Sequence, residues 1–427
     1  MKIAVFGREL QSHTAASLFA SVGNQVDFFA REKSTCLQES GLLNLYTLQK
    51  DAKRLKNILT NQVISSSLEG EKARYDFILI SDVSPNYVLE HYAQQLKYSL
   101  ECGTVFIIFT PSEIGEAQSF SQKLKLYGDQ VTVCSVPLLV REGRAILDFS
   151  RPDNIIIGCD DPVVLPKVKS LFYPFNRVKN VIKEVSTREA EFSCFAGNAM
   201  LATRLSFMNE MASLAERSHV DIDVVRECIG SDPRIGRDYL YPGCGYGGHA
   251  LAENVEKIAA QLRTREDDLG LLDIVAQINE RQKDLLFRKI WQFFNTDLHD
   301  KKIAIWGAAF KPGSSNIDGA PSIKLIEALL AQGANVNVYD PLALEKIHVK
   351  FKNNCHLTLL DSAYEALEGA DVLAICTEWK EFWSPDFEKF SKCLKYKAIF
   401  DGRNILDPFQ MKNAGFLYFG IGRGEML

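Results

Sequence analysis

Two apolar runs, Lys2–Phe6 (K-I-A-V-F) and Lys302–Trp306 (K-I-A-I-W), each end on a glycine, Gly7 and Gly307. Runs this short and continuous suit parallel strands buried on both faces. After Gly7, Leu10, Ala15, Leu18 and Phe19 recur at helical spacing, and residues 26–29 form a second apolar run. After Gly307 come a helical stretch at 322–332 and a strand at 335–339. Each is a strand-helix-strand opening, and parallel strands joined by a helix wind with one hand into an open sheet. Further strands are expected at 77–81, 104–109, 131–136, 154–158 and 372–377, with helices near 87–98 and 161–172. A chain of 427 residues has room for helical structure between the two sheets. The expected class is α/β: two Rossmann-like doubly wound domains joined by a central helical segment with a long bridge helix.

The first opening is of the dinucleotide-binding kind, but its turn is altered. A G-x-G-x-x-G fingerprint lets a diphosphate approach the backbone, and an acid after the second strand holds a ribose. Here the turn reads Gly7-Arg8-Glu9-Leu10-Gln11-Ser12. Only the first glycine remains. Glu9 sets a negative charge where a diphosphate would lie. Ala30 takes the place of the ribose acid, and Arg31 after it has the charge to face a 2′-phosphate. Gly7 and Arg31 are the cofactor-side candidates. The expectation is a sheet kept with weak NAD(H) binding or none.

Residues 232–254, D-P-R-I-G-R-D-Y-L-Y-P-G-C-G-Y-G-G-H-A-L-A-E-N, carry the densest signal. Glycine admits close approach to the main chain, tyrosine faces hold rings, and arginine forks onto phosphate oxygens. The same composition also suits a glycine-rich surface loop between helices. The helix after it is expected to start near Ala252, with Glu253 and Asn254 in its first turn. Longer helices are expected at 189–218 and 269–294.

The net charge of -5 gives no reason to expect nucleic acid or an anionic membrane as partner. Ten cysteines lie scattered, without C-x-x-C or zinc-like spacing. They read as buried free thiols in a reducing cytosol, and no metal site is expected. The chain opens on a strand and has no bilayer-length apolar run, so a cytoplasmic protein without a signal peptide is expected.

The 232–254 stretch resembles the signature of the nucleotide-sugar dehydrogenases, the UDP-glucose 6-dehydrogenase and GDP-mannose dehydrogenase family: R-I-G-x-x-F/Y-L-x-x-G-x-G-Y-G-G-S-C-F-P-K-D. The resemblance continues through V-P-L-L-V-R-E-G at 136–143, the helix around A-E-F-S-C-F-A-G-N, F-K at 310–311, and D-G-R-N at 401–404. It implies domains at 1–186 (NAD-binding type), 187–298 (helical, dimer-forming) and 299–427 (UDP-sugar-binding). It also implies a nucleotide-sugar ligand, with a UDP-sugar first, and a homodimer or higher homo-oligomer.

Carried over residue by residue, the substrate contacts fall on Leu139, Glu142, Asn198, Arg234, Tyr239, Leu240, Gly243, Tyr246, Gly247, Phe310, Lys311 and Arg403. Arg234 fits an arginine that reaches a neighbouring subunit's nucleotide. Asn198 also reads as an ordinary polar residue on a packed helix. The positions of the family's chemistry are altered. The water-placing threonine is Glu116, the catalytic glutamate Leu138, the oxyanion lysine Cys194, the nucleophilic cysteine Ala250 and the catalytic aspartate Asn254. The NAD-phosphate arginine is Asp318. An alkyl chain moves no proton, and without a thiolate the second oxidation has no thioester to hydrolyse. His249 as a base, or Cys244 as a nucleophile, is a rescue that geometry must decide. Three expectations follow: a nucleotide-sugar binder without the two-step oxidation; an NAD(P)-linked oxidoreductase with altered chemistry; or a scaffold or regulatory partner of an active homologue.

Overall fold

A computed structural model describes residues 1–7, 10–29, 63–64, 74–81, 83–101, 103–128, 131–138, 140–141, 144–177, 180–263, 269–352 and 354–423. It divides into two compact units, Met1–Ala196 and Gly197–Leu427. The division falls inside the longest helix, Thr187–Arg217.

The first unit is built on an eight-stranded sheet. Its strands are β1 (Lys2–Phe6), β2 (Gln25–Phe29), β3 (Val63–Ile64), β4 (Phe77–Ile80), β5 (Val105–Ile108), β6 (Thr132–Ser135), β7 (Ile155–Gly158) and β8 (Ile182–Val185). Their order is β3-β2-β1-β4-β5-β6-β7-β8. Strands β3 to β6 are parallel throughout, as buried hydrophobic runs require. The β6–β7 seam is antiparallel and holds a single registered pair, Ser135 with Gly158. Successive side chains go to opposite faces. Ile3 and Val5 join one core with Phe19 and Phe172, while Ala4 and Phe6 join another with Phe106 and Phe120.

The second unit holds β9 (Lys302–Trp306), β10 (Asn335–Tyr339), β11 (Leu357–Leu359), β12 (Val372–Ile375), β13 (Ala398–Asp401) and β14 (Leu417–Phe419). They are all parallel, in the order β11-β10-β9-β12-β13-β14. Both sheets reverse direction beside their first strand, the topology of a Rossmann fold, and ligands bind outside the carboxyl ends at that reversal. The expected α/β class holds for both.

Two helices differ from expectation. The helix after the glycine stretch starts at His249, not near Ala252, because Gly248 (φ 85) turns the chain directly into it. Ala250 therefore stands in its first turn, and Glu253 and Asn254 lie beyond that turn. The helix expected over 269–294 is two, Leu271–Lys283 and Leu285–Phe293. At the break, Asp284 N–H donates three residues back to Arg281 rather than four. The first helix begins at Leu10, and Arg8 and Glu9 lie outside the described residues. No described helix is long and apolar enough to cross a membrane.

Candidate nucleotide-sugar site

In the second unit the 232–248 stretch is tied to side chains of the long helix and of the Leu271–Lys283 helix. Asp232 accepts from the backbone N–H of Arg234 at 2.9 Å and forms an ion pair with its guanidinium at 2.6 Å. The Arg234 side chain is 87% exposed, so it is aimed at solvent. Arg204, on the long helix, donates to the carbonyls of Ile235 at 2.8 Å and Gly236 at 3.0 Å. Asn209 accepts from Gly243 N–H at 3.0 Å, and Gln282 donates to Gly243 O at 2.7 Å. Asn279 bonds both backbone groups of Tyr246, at 2.9 and 3.0 Å. These amides satisfy loop groups that have no helix or sheet partner, which is what burial of such a loop requires.

The glycines in this loop mark close approaches. A Cβ on Gly247 would lie 2.7 Å from Gly319 O and 2.8 Å from Ala320 N. One on Gly248 would lie 2.6 Å from the Phe310 ring. Gly248 N–H donates to Asp318 O at 2.8 Å. The loop is thus laid against the Phe310–Ala320 tract, which follows β9.

Arg403, after β13, is the charged side chain at this loop, and only 15% of it is exposed. Its Nε donates to Cys376 O at 2.8 Å and its Nη1 to Gly245 O at 3.1 Å, with Glu378 Oε2 3.3 Å from Nε. Its Nη2 is buried and has no hydrogen-bond partner among the described residues. A guanidinium N–H left open in the interior is costly unless a ligand oxygen completes it. Lys311 lies over the Phe310 ring at 5.2 Å. Tyr246 is buried, which pushes its phenol up to about 12.

Gly243, Tyr246, Gly247, Phe310, Lys311 and Arg403 therefore belong to one neighbourhood of the second unit. Leu240 is buried in the same unit's core. Tyr239 holds a left-handed turn (φ 58) and Asn198 lies half-buried on the long helix. Arg234 points to solvent, apart from the cluster. Leu139, Glu142, Ala30 and Arg31 lie outside the described residues, as do the side chains of His249 and Ala250. Arg204, Asn209, Asn279 and Gln282 were not singled out from sequence. The one available signal was polar residues on helix faces that also carry apolar ones.

The altered positions have apolar or self-satisfied surroundings. Leu138 packs against the core of the first unit. Glu116 accepts from Ser112 N and Oγ at 2.7 and 2.8 Å, and opens the Glu116–Leu124 helix. Glu191 accepts from Gly115 N and Ala117 N at 2.6 and 2.8 Å, so carboxylates of the chain itself fill that helix end. Burial raises the Glu191 carboxyl. Glu253 pairs with Lys257 at 2.8 Å, and Asn254 is half-buried. Cys244 is fully buried, and burial pushes its thiol up, which removes it as a ready nucleophile.

Cys194 is also buried, and its thiol is pushed up to about 11. About one thiol in a thousand is then ionised near pH 8. Iodoacetamide at that pH is expected to label exposed Cys228 and Cys355 fully while Cys194 stays unmodified, as read by peptide mass spectrometry.

The described part of the β1 turn tests the dinucleotide. A Cβ on Gly7 would lie 2.3 Å from Ser12 Cβ and 2.4 Å from Ser81 O. The close strand–helix packing that the first glycine permits is kept. Ser12 fills the third glycine's place and is buried, and Glu9 takes the second by sequence. By sequence, the second and third glycines of the dinucleotide fingerprint are thus replaced. Among the described residues no cluster suits a metal ion.

Comparison with known proteins places the chain. Residues 188–281 match the central domain, and residues 304–408 the UDP binding domain, of the UDP-glucose/GDP-mannose dehydrogenase family. A UDP-glucose 6-dehydrogenase of Pseudomonas aeruginosa is 35% identical, covering 99% of this chain and 98% of the relative. A putative UDP-glucose 6-dehydrogenase of Bacillus subtilis is 30% identical over 99% and 100%. A solved UDP-D-ManNAc dehydrogenase of Pyrococcus horikoshii has the same fold, with TM-score 0.82, 24% identity and coverage of 99% and 100%. A UDP-glucose dehydrogenase of Pyrobaculum islandicum gives TM-score 0.80, 23% identity and coverage of 99% and 97%. This chain therefore belongs to the UDP-glucose/GDP-mannose dehydrogenase family.

Proposed function

We propose that the chain binds a nucleotide sugar, a UDP-sugar first, in its second unit, and does not carry it through the two-step oxidation to a uronate. The observation that carries the binding half is the buried Nη2 of Arg403, unpartnered among the described residues and set beside Gly245 and the glycine loop. The observation that carries the chemical half is the set of residues at the family's catalytic positions: Glu116, Leu138, Cys194, Ala250 and Asn254. None of them is a cysteine nucleophile, a lysine or a general base in the family's arrangement. NAD(H) binding is weak or absent in this reading, with the glycine turn replaced. Similarity to UDP-glucose 6-dehydrogenases favours a second reading, an active dehydrogenase. Titration calorimetry with UDP-glucose and with NAD separates the two. Tight NAD binding with weak UDP-glucose binding overturns the first reading. Lys311→Ala, at a half-buried site, is expected to weaken UDP-glucose about tenfold.

The chain is further proposed to act as three parts, 1–186, 187–298 and 299–427, and to form a homodimer or higher homo-oligomer through the long helix. Met200, Phe207 and Leu214 are 60%, 49% and 47% exposed on that helix and recur at seven-residue spacing. Such a stripe is the seam a second helix covers. Phe207→Glu is expected to turn a dimer into monomer in sedimentation velocity with an unchanged circular dichroism spectrum. A variant that sediments like the parent contradicts this assembly.

A further inference from the structure

The two strands that meet at the antiparallel seam of the first sheet each carry a cysteine, Cys134 on β6 and Cys159 directly after β7. Ser135 and Gly158 are the registered pair, so Cys134 and Cys159 face each other one step along. The backbone bonds fix which kind of pair this is. Val136 N–H donates to Ile108 on β5, so Cys134, two residues away, also faces β5 and Ser135 faces β7. Cys159 N–H donates to Val185 on β8, so Gly158 faces β6. Ser135 and Gly158 are therefore the hydrogen-bonded pair, and Cys134 and Cys159 the non-hydrogen-bonded pair beside it. Such pairs bring their Cα atoms to about 4.5 Å, with side chains closest. A disulfide needs Cα atoms about 4.4–6.8 Å apart. Both thiols lie on the same sheet face, against the same core.

We propose that Cys134 and Cys159 are a reversible thiol–disulfide pair, oxidised by hydrogen peroxide, that staples the antiparallel seam of the first unit's sheet. The seam is where a staple has most effect. Every other ladder in this sheet registers two or more residue pairs, and this one registers a single pair. Just after Cys159, Asp160 accepts from Thr187 N and Oγ1 at 3.0 and 2.6 Å and so caps the long helix. The staple would thus also fix the turn from which that helix starts.

The two sulfurs divide the work. Cys159 is half-buried and reachable; Cys134 is fully buried. The neighbouring Cys134 sulfur draws the Cys159 thiol down, while the Cys159 sulfur and burial raise Cys134; Cys159 Sγ itself donates to Asp161 O at 3.3 Å. The Cys159 thiolate attacks a peroxide oxygen and the O–O bond breaks. A sulfenic acid forms, and the departing oxygen leaves as water with a solvent proton. The Cys134 sulfur then attacks the sulfenic sulfur. The S–S bond forms, the S–O bond breaks, and the hydroxide leaves as water with the Cys134 proton. Two thiols lose two electrons and one peroxide becomes two waters.

The test treats the purified full chain with hydrogen peroxide, blocks the remaining thiols by alkylation and digests with trypsin without reductant. The expected result is peptide 126–141 joined to peptide 145–167, lighter than the free pair by two hydrogens and separated again by dithiothreitol. In Cys134→Ser the joined species is lost, and dimedone traps a sulfenic acid on Cys159. Hydrogen exchange of 155–158 and 182–185 is expected to slow in the oxidised protein. Recovery of both peptides as alkylated free thiols, while exposed Cys228 or Cys355 is oxidised, overturns the proposal. A joined pair with unchanged exchange overturns the staple. The wild-type peptide map needs no variant to fold and does not depend on nucleotide binding.

Discussion

Arg403→Ala is expected to lower the stability of the second unit by about 1–3 kcal/mol, the cost of leaving its hydrogen-bond partners unsatisfied. Three groups lose their donor at once. Cys376 O and Gly245 O are left without their guanidinium N–H, and Glu378 loses the charge 3.3 Å away. The loss reaches the glycine loop because Gly245 lies between residues held by Gln282 and Asn279. Denaturant melting reads the shift as a lower midpoint with the slope kept. Arg403→Lys is expected to recover only part, since one ammonium cannot fork onto both carbonyls. A midpoint within experimental error of the parent would show that the buried network is not formed in solution. Because Arg403 has this structural role, its removal does not cleanly separate ligand binding from scaffolding. Lys311→Ala serves that purpose better.

Ala250→Cys is expected to give no uronate. The position stands in the first turn of the His249–Leu262 helix. The partners of that thiol are absent at the other matched positions. Leu138 moves no proton, buried Cys194 carries no cation, Asn254 is not a carboxylate, and Glu116 is tied to Ser112. Groups that act as one unit do not restore rate one at a time. The expected rate is therefore at or below about a ten-thousandth of what restoring all five positions gives. Product analysis for UDP-glucuronate with NAD supplied checks this. A single substitution that brings substantial turnover would show that another residue already does the work of the missing four.

Much of this was legible in the residues, and the reason is physical. Parallel buried strands are short continuous apolar runs, so Lys2–Phe6 and Lys302–Trp306 announced both sheets. The glycines at 243–248 announced close approach, and Gly247 and Gly248 do lie against Gly319 and Phe310. What was not legible depends on partners distant in sequence. The break at Asp284 is masked by apolar spacing that continues across it, while Gln282 is drawn in to hold Gly243. The loop's supports, Arg204, Asn209 and Asn279, look like ordinary polar helix residues until the loop is placed beside them. Scattered cysteines gave no spacing signal for Cys134 and Cys159, because only the β6–β7 register brings them face to face.

The central claim is binding without oxidation, and one sample tests both parts: the purified chain with UDP-glucose and NAD, followed by calorimetry and by chromatography of the nucleotide sugars. The account predicts saturable UDP-glucose heat and unchanged UDP-glucose after prolonged incubation. Accumulation of UDP-glucuronate with matching NADH, or no heat from any UDP-sugar, would contradict it.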